Sequence, residues 1–202
     1  MKIALIGVTG RVGTRLATEL LSRSHAVTGI ALHVPTEARA NVRVLQADAT
    51  DPNSLAPRLV GNDAVISASR FVTSDAGALV AAVKTAGVKR LLVVGGAGSL
   101  EVAPGKALMD TVGFPEAFKA EAKAGARFLA RLWAEKDLNW TFLSPSADFA
   151  PGERTGQFWL GGDQLLRDAK GRSHISMEDF AIAMVDEVEK PAHSRQRFTV
   201  GY

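Results

Sequence analysis

Three glycines spaced three residues apart lie near the start of the chain, in Gly7-Val-Thr-Gly10-Arg-Val-Gly13. The first glycine permits a tight turn, the second lets a diphosphate approach the backbone, and the third lets a following helix pack closely. A helix that begins there points its free N–H groups and the positive end of its dipole at an anion. The spacing therefore predicts a phosphate site of the kind that binds a dinucleotide.

The residues around the glycines separate this prediction from its alternative, a turn with a purely structural role. An apolar run at residues 2–7 predicts a strand before the turn. After the turn, Val12, Leu16 and Leu20 mark one apolar face of a helix. A strand, a glycine turn and a helix in this order form the context in which the motif binds dinucleotides.

The end of the second predicted strand bears on which dinucleotide is bound. NAD-selective sites usually carry an acid there for the ribose 2′-hydroxyl, whereas this strand ends in Leu32 and His33. Arg11, in the glycine turn, could make a charge-assisted contact with a phosphate. The pattern favours NADP over NAD. His33 is either part of this pocket or a solvated loop histidine.

Asp48 follows the third predicted strand and suits the adenine side of a dinucleotide pocket. The alternative is an ordinary turn residue, since short polar side chains of this type often bond their own turn. Asp51 nearby precedes Pro52, a combination typical of a helix N-cap followed by proline at the first helical position.

Apolar runs alternate with helical patterns along the chain, as a parallel sheet requires, because parallel neighbours need a crossover connection. Strands are predicted at residues 2–7, 26–32, 42–46, 63–68, 90–95, 140–143 and 197–202. Helices are predicted at about 12–24, 53–59, 75–86, 116–136 and 177–189. With 47% hydrophobic residues, the pattern predicts one α/β domain over residues 1–202 with a mostly parallel sheet.

The longest predicted helix carries an apolar stripe with alternating steps of four and three residues. The stripe consists of Phe118, Ala122, Gly125, Leu129 and Leu132. One face of this helix is therefore expected to pack on the sheet.

Two long segments follow the fifth and sixth predicted strands, at residues 95–115 and 144–162. Ligands of open α/β sheets bind outside the carboxyl ends of the strands, so both segments belong on the functional edge. The second is too rich in glycine for a long element and too apolar for disorder. We therefore expect a stretch of about 144–176 to cover the substrate.

The composition excludes several classes of site and partner. Cysteine is absent, and the four histidines have no spacing suited to a metal, so no metal site is expected. The net charge is +3, with basic and acidic residues interspersed, which argues against nucleic-acid binding. Apolar runs fall short of the roughly 18 to 20 residues that span a bilayer. The expected location is the cytoplasm.

Five stretches together carry a resemblance to known proteins. They are Gly7-Val-Thr-Gly-Arg-Val-Gly13, Ala47-Asp48-Ala-Thr-Asp51, Asp63-Ala-Val-Ile-Ser-Ala68, Arg90-Leu-Leu-Val-Val-Gly-Gly-Ala-Gly-Ser99 and Leu138-Asn-Trp-Thr-Phe-Leu-Ser-Pro145. The chain resembles the atypical short-chain dehydrogenase-like proteins, and most of all the NAD(P)H-binding, NmrA-like and biliverdin reductase B-like flavin reductases. The resemblance spans almost the whole chain.

This resemblance implies a single, doubly wound Rossmann-type domain with the cofactor along the strand ends. Its members include reductases of flavins and quinones, and also regulators that bind the dinucleotide without turning it over. The cofactor contacts that it implies are Gly7, Thr9, Gly10, Arg11, Val12, Leu32, His33, Asp48, Ser67, Ala68, Gly95 and Gly96.

The chain departs from the wider superfamily at the catalytic pair. Typical members use Tyr-x-x-x-Lys, in which the lysine lowers the tyrosine pKa for proton exchange with the substrate. Here Phe118 and Ala122 stand in their places, and the single tyrosine is Tyr202. Tyrosine-driven alcohol oxidation or epimerisation is therefore not expected. Ser99 remains a catalytic candidate that could hydrogen-bond a carbonyl or a flavin edge, or else bonds only its own loop backbone.

Hydride transfer to a planar ring can proceed without a protein acid, because water can supply the proton and positioning supplies most of the rate. We therefore expect an NADPH-dependent or NADH-dependent reductase of a flavin, quinone or similar small planar acceptor. The nicotinamide would lie over residues 95–99 and the acceptor beneath 144–162. The alternative is a non-catalytic, NADP-sensing NmrA-like regulator.

Overall fold

One eight-stranded sheet forms the centre of the protein in the computed structural model, which describes residues 1–35 and 41–202. Its strands are β1 (Lys2–Ile6), β2 (Ala26–Ala31), β3 (Val42–Gln46), β4 (Ala64–Ser67), β5 (Arg90–Val94), β8 (Asn139–Pro145), β10 (Trp159–Gly161) and β12 (Gln196–Gly201). Two small pairs lie beside it: β6 (Glu101–Ala103) with β7 (Lys106–Ala107), and β9 (Asp148–Ala150) with β11 (His174–Ser176).

The strand order is β3-β2-β1-β4-β5-β8-β12-β10, and within this sheet β10 alone runs antiparallel to its neighbour. The chain builds outward from β1 to β3, then returns to β4 on the other side of β1. The loops after β1 and β4 therefore diverge at the carboxyl edge, which is where doubly wound sheets open a crevice for ligands. The predicted Rossmann-type, mostly parallel α/β domain is confirmed.

In the described part of the chain, five α-helices cover the two faces of the sheet: α1 (Arg11–Ser22), α2 (Pro52–Leu59), α3 (Ala76–Thr85), α4 (Glu116–Trp133) and α5 (Met177–Glu189). Buried residues of α1 and α5 pack into the core on one face, and those of α2, α3 and α4 into the core on the other. The predicted N-cap of α2 is confirmed, because Asp51 accepts a hydrogen bond from the backbone of Asn53. At the start of α5, Ser176 accepts one from the backbone of Asp179.

The apolar stripe of α4 divides into two parts. Leu129 and Leu132 are buried against the sheet, as predicted, and Gly125 is buried against the ring of Phe71. Phe118, however, is 62% exposed, so its assignment to the packed face was wrong. It lies in the first turn of the helix and lines an open cleft instead of the core. None of the helices in residues 1–35 and 41–202 is long and apolar enough to cross a membrane.

Candidate functional site

The turn after β1 is held in shape by two of its three glycines. Gly7 has φ +78°, and a Cβ there would lie 2.8 Å from the carbonyl oxygen of Ala68. A Cβ on Gly13 would overlap the carbonyl oxygen of Gly7, which confirms the predicted close packing of helix on turn. A Cβ on Gly10 would meet only that same oxygen, at 3.2 Å, and Gly10 is exposed. The middle glycine is thus the one left facing outward.

The N-terminus of α1 opens at this turn. Gly10 is its N-cap, and among the described residues no side chain caps the helix and none in its first turn is acidic. The uncompensated N–H groups and the helix dipole favour an anion at this position. Bare glycine and an uncapped helix end together fit the diphosphate of a dinucleotide.

The other predicted cofactor residues continue along the same edge of the sheet. Ser67 ends β4, and the Ala68 N–H bonds the carbonyl of Ile6 at 2.9 Å. Leu32 and His33 follow β2 and are exposed. The predicted contacts, which run from the end of β3 to the end of β5, are Gly7, Thr9, Gly10, Arg11, Val12, Leu32, His33, Asp48, Ser67, Ala68, Gly95 and Gly96.

Asp48 already has bonds within its own turn. Its carboxylate accepts hydrogen bonds from the N–H and the hydroxyl of Thr50, at 2.8 and 2.7 Å. The bond from the Thr50 hydroxyl is the main reason that the pKa of Asp48 is lowered. These are the bonds expected for a turn residue, and any contact with adenine would be additional to them.

A cleft of about 730 Å³ lies at the carboxyl ends of β5 and β8, next to the loop 95–99. Of the predicted site residues, Arg11, Gly95, Gly96 and Ser99 line it. Four phenylalanines also line it: Phe71, Phe114, Phe118 and Phe149. Sequence reasoning missed Phe71, Phe114 and Phe149, although each lies in a segment that follows a predicted strand. The cleft combines a glycine-rich floor with aromatic walls.

Close packing fixes the loop beneath the cleft. A Cβ on Gly95 would lie 2.7 Å from the carbonyl oxygen of Leu143, and one on Gly98 would lie 2.5 Å from the Cβ of Ala122. Contacts this short leave no room for side chains larger than hydrogen at either glycine. Ala122, at the position of the missing lysine, is therefore the point where α4 packs on the loop.

Ser99 is bonded to a distant arginine. Its Oγ accepts a hydrogen bond from Nη1 of Arg197 at 3.0 Å, and its carbonyl oxygen accepts one from the same nitrogen at 3.1 Å. Arg197 lies on β12 and also pairs with Asp163, at 2.6 Å. The alternative that the Ser99 hydroxyl bonds only its own loop backbone does not describe this arrangement. In the sequence, a charged residue in the otherwise apolar predicted strand 197–202 was the one signal that Arg197 has a specific partner.

Tyrosine, histidine and lysine are absent from the described residues that line the cleft. Tyr202 lies elsewhere and donates a hydrogen bond to the carboxylate of Asp179 at 2.7 Å, while burial raises its pKa. Glu121 does line the cleft, but its carboxylate accepts bonds from the N–H groups of Phe71 and Val72, at 2.6 and 3.3 Å. Its role in the structure is to hold the loop after β4.

The segment predicted to cover the substrate has two different environments. Residues 145–149 and Ser173 line the cleft. The middle lies on α1 and α5, where Arg154 pairs with Glu19 at 2.8 Å and the Gly152 N–H bonds Glu178 at 2.8 Å. The two ends of the segment therefore border the cleft, and the substrate cover stays a prediction.

Comparisons with known proteins show which family the chain belongs to. The chain is 48% identical to a protein of Burkholderia pseudomallei provisionally named an exported protein, with TM-score 0.91 and 100% of both chains covered. It is 42% identical to a Bacteroides thetaiotaomicron protein provisionally named an epimerase, with TM-score 0.93, covering 100% of this chain and 96% of the other. It is 37% identical to a Streptococcus pneumoniae protein provisionally named an NADH-flavin reductase, with TM-score 0.87, covering 100% and 99%. Residues 7–191 match the sequence profile of the NAD(P)H-binding family, and the chain belongs to that family.

Proposed function

We propose that this protein is an NADPH-dependent reductase that delivers hydride to a flavin, a quinone or a similar planar acceptor. The observation that carries the proposal is the cleft beside Gly95 and Gly96, which is lined by four phenylalanines and, within the described residues, by no tyrosine, histidine or lysine. Such a cleft suits a flat ring that is held by stacking and needs no acid from the protein. Bound NADPH would supply the hydride.

The chain's own residues would bind and orient both ligands. The open N-terminus of α1 would hold the diphosphate through its N–H groups. A Cβ on Gly96 would meet only a ring carbon of Phe71, at 3.7 Å, so the backbone is bare there at the end of β5 and a flat ring could lie directly against the loop. Phe118 and Phe149 would stack on the acceptor and exclude water from its faces.

Arg11 supports the preference for NADPH. Its side chain is exposed at the start of α1 and lines the cleft, and its guanidinium makes no hydrogen bond to another described residue. A free guanidinium at this place could bind a 2′-phosphate with a charge-assisted hydrogen bond.

Epimerisation is the function suggested by the provisional name of one similar structure. Its usual superfamily mechanism needs a group that exchanges protons with the substrate. In this chain the tyrosine position is Phe118, and the lysine position is Ala122, whose Cβ faces Gly98. The aromatic cleft therefore favours reduction over epimerisation.

Steady-state oxidation of NADPH and NADH tests the proposal, with FMN and menadione as acceptors and cyclohexanone as a matched simple ketone. We expect turnover with both planar acceptors, a lower KM for NADPH than for NADH, and no turnover with the ketone, whose alkoxide needs a proton. Efficient ketone reduction would reveal an acid in the site and contradict the proposal. Tight NADPH binding by calorimetry with no turnover of any acceptor would instead support the sensing regulator.

A further inference from the structure

A buried guanidinium from strand β12 reaches the loop at the floor of the cleft. The side chain of Arg197 is only 4% exposed, and Nη1 bonds both oxygens of Ser99, at 3.0 and 3.1 Å. Its Nε bonds Asp163, whose side chain is 62% exposed. The carboxylate thus stays in water while the guanidinium is held in one orientation inside the protein.

The donors and acceptors in this contact determine which way the hydroxyl hydrogen of Ser99 points. A guanidinium has donors and no acceptor, so Ser99 Oγ must accept from Arg197 and keep its own hydrogen for another partner. Within residues 1–35 and 41–202, the structure shows no acceptor for that hydrogen. Ser99 lines the cleft, so the O–H is available to a ligand there.

A cation on the oxygen also changes the strength of the hydroxyl as a donor. Chains of hydrogen bonds polarise one another, more strongly where the surroundings are apolar. A hydroxyl that accepts from a guanidinium therefore donates more strongly than one that accepts from a neutral group. Asp163 reinforces the geometry by fixing the other edge of the guanidinium.

We propose that Arg197 is a positioning residue that orients and polarises the Ser99 hydroxyl to donate a hydrogen bond to a carbonyl oxygen of the acceptor. This inference rests on the proposed function. The hydride carries two electrons from NADPH to the acceptor ring, and negative charge grows on the conjugated carbonyl oxygen. Solvent supplies the single proton that completes the reduction, so Ser99 and Arg197 keep theirs.

A double-mutant cycle with menadione and NADPH tests this role, using Ser99→Ala, Arg197→Met and the double variant. We expect each single variant to lower kcat by about tenfold, the factor typical of one charge-assisted hydrogen bond. The double variant should be no slower than Ser99→Ala alone. The loss should fall on kcat and not on the KM for NADPH, because the bond to the acceptor oxygen strengthens only as hydride is transferred.

Arg197→Lys covers the case in which the methionine variant fails to fold, because it keeps the buried charge with a single ammonium in place of the fork. Arg197→Lys should lower kcat when Ser99 is present and leave kcat unchanged in the Ser99→Ala background. If an Arg197 substitution lowered kcat by the same factor in the wild-type and Ser99→Ala backgrounds, Arg197 would act through general stability. That result would overturn this inference and leave the proposed function standing. Wild-type protein that reduces none of the planar acceptors would overturn the proposed function, and this inference with it.

Discussion

The two ends of the carboxyl edge of the sheet present different chemical groups to a ligand. At the α1 end, the surface consists of backbone: Gly7 turns with a positive φ, Gly10 is bare, and the helix N-terminus is open. At the α4 end, the surface consists of side chains, with Phe114, Phe118 and other rings around the cleft. The first end suits a diphosphate, which N–H groups bind, and the second suits a flat ring, which stacking holds.

This contrast teaches that one chain segment can encode the first end while several must meet to make the second. The α1 turn is complete within residues 7–13, whereas the cleft takes only Arg11 from that turn and draws the rest of its lining from residues 71, 95–99, 108–126, 145–149 and 173. Substitutions at the two ends should therefore affect different ligands. Those in the turn should change dinucleotide affinity, and those in the aromatic wall should change the KM of the acceptor.

The largest effect is expected from Gly10→Glu, which places a carboxylate where the diphosphate would bind. At about 4 Å near a protein surface, two like charges repel by about 4 kcal/mol, so NADPH affinity should fall by at least about a hundredfold. The fold should survive, because φ at Gly10 is −75° and its Cβ would meet only one atom, at 3.2 Å. Calorimetry with NADPH and a thermal melt measure the two properties.

Two control variants separate charge from bulk in that experiment. Gly10→Gln has the same size without the charge and should lose much less affinity. Gly162→Glu adds the same charge at an exposed glycine with nothing within 4 Å and should bind as the wild type does. Unchanged NADPH affinity in folded Gly10→Glu would contradict the dinucleotide site at α1.

A smaller effect is expected from Arg11→Ala, and it should fall on one cofactor. A charge-assisted hydrogen bond contributes roughly 1.5 to 3 kcal/mol, so the affinity for NADPH should drop by about tenfold or more. NADH lacks the 2′-phosphate, so the affinity for NADH should stay the same. The difference in affinity between NADPH and NADH should therefore become smaller. Binding titrations with both cofactors measure this, with Arg131→Ala, an exposed arginine on α4, as the control. Equal weakening of both cofactors would show that Arg11 contacts the shared diphosphate.

The α1 end could be predicted from sequence because its physics is local. Glycine spacing, strand alternation and helix caps act over a few residues, and they located every strand of the sheet except the antiparallel edge strand β10. Helix α5 was predicted over its full length, 177–189. The short strands β6, β7, β9 and β11 were missed, since two or three residues carry no period.

The α4 end could be predicted only in part, because its contacts join distant segments. Arg197 and Ser99 are 98 positions apart, and no residue near Ser99 in the sequence indicates that a buried guanidinium contacts it. Periodicity placed Phe118 on the packed face of α4, but the pattern could not show that the first turn of the helix borders the cleft. Where a helix reaches beyond its sheet, the same apolar spacing serves a ligand surface instead of a core.

The smallest of these effects is expected from Phe118→Ala, and it tests the aromatic wall directly. Stacking of a base on an aromatic side chain contributes roughly 1 to 3 kcal/mol, and an exposed ring falls at the lower end, so the KM for FMN should rise about fivefold to tenfold. Affinity for NADPH should stay the same. Because Phe118 is 62% exposed, the melting temperature should change little.

Phe118→Leu and Trp133→Ala make that result specific. Leucine keeps apolar area without a ring, so recovery of the wild-type KM by Phe118→Leu would show that burial matters and stacking does not. Trp133 lies on the same helix, is 50% exposed and does not line the cleft, so its loss should leave both KM values unchanged. If Phe118→Ala weakened NADPH as much as FMN, the two ends of the edge would form one ligand surface, and the division between a backbone-built cofactor end and a side-chain-built acceptor end would be wrong.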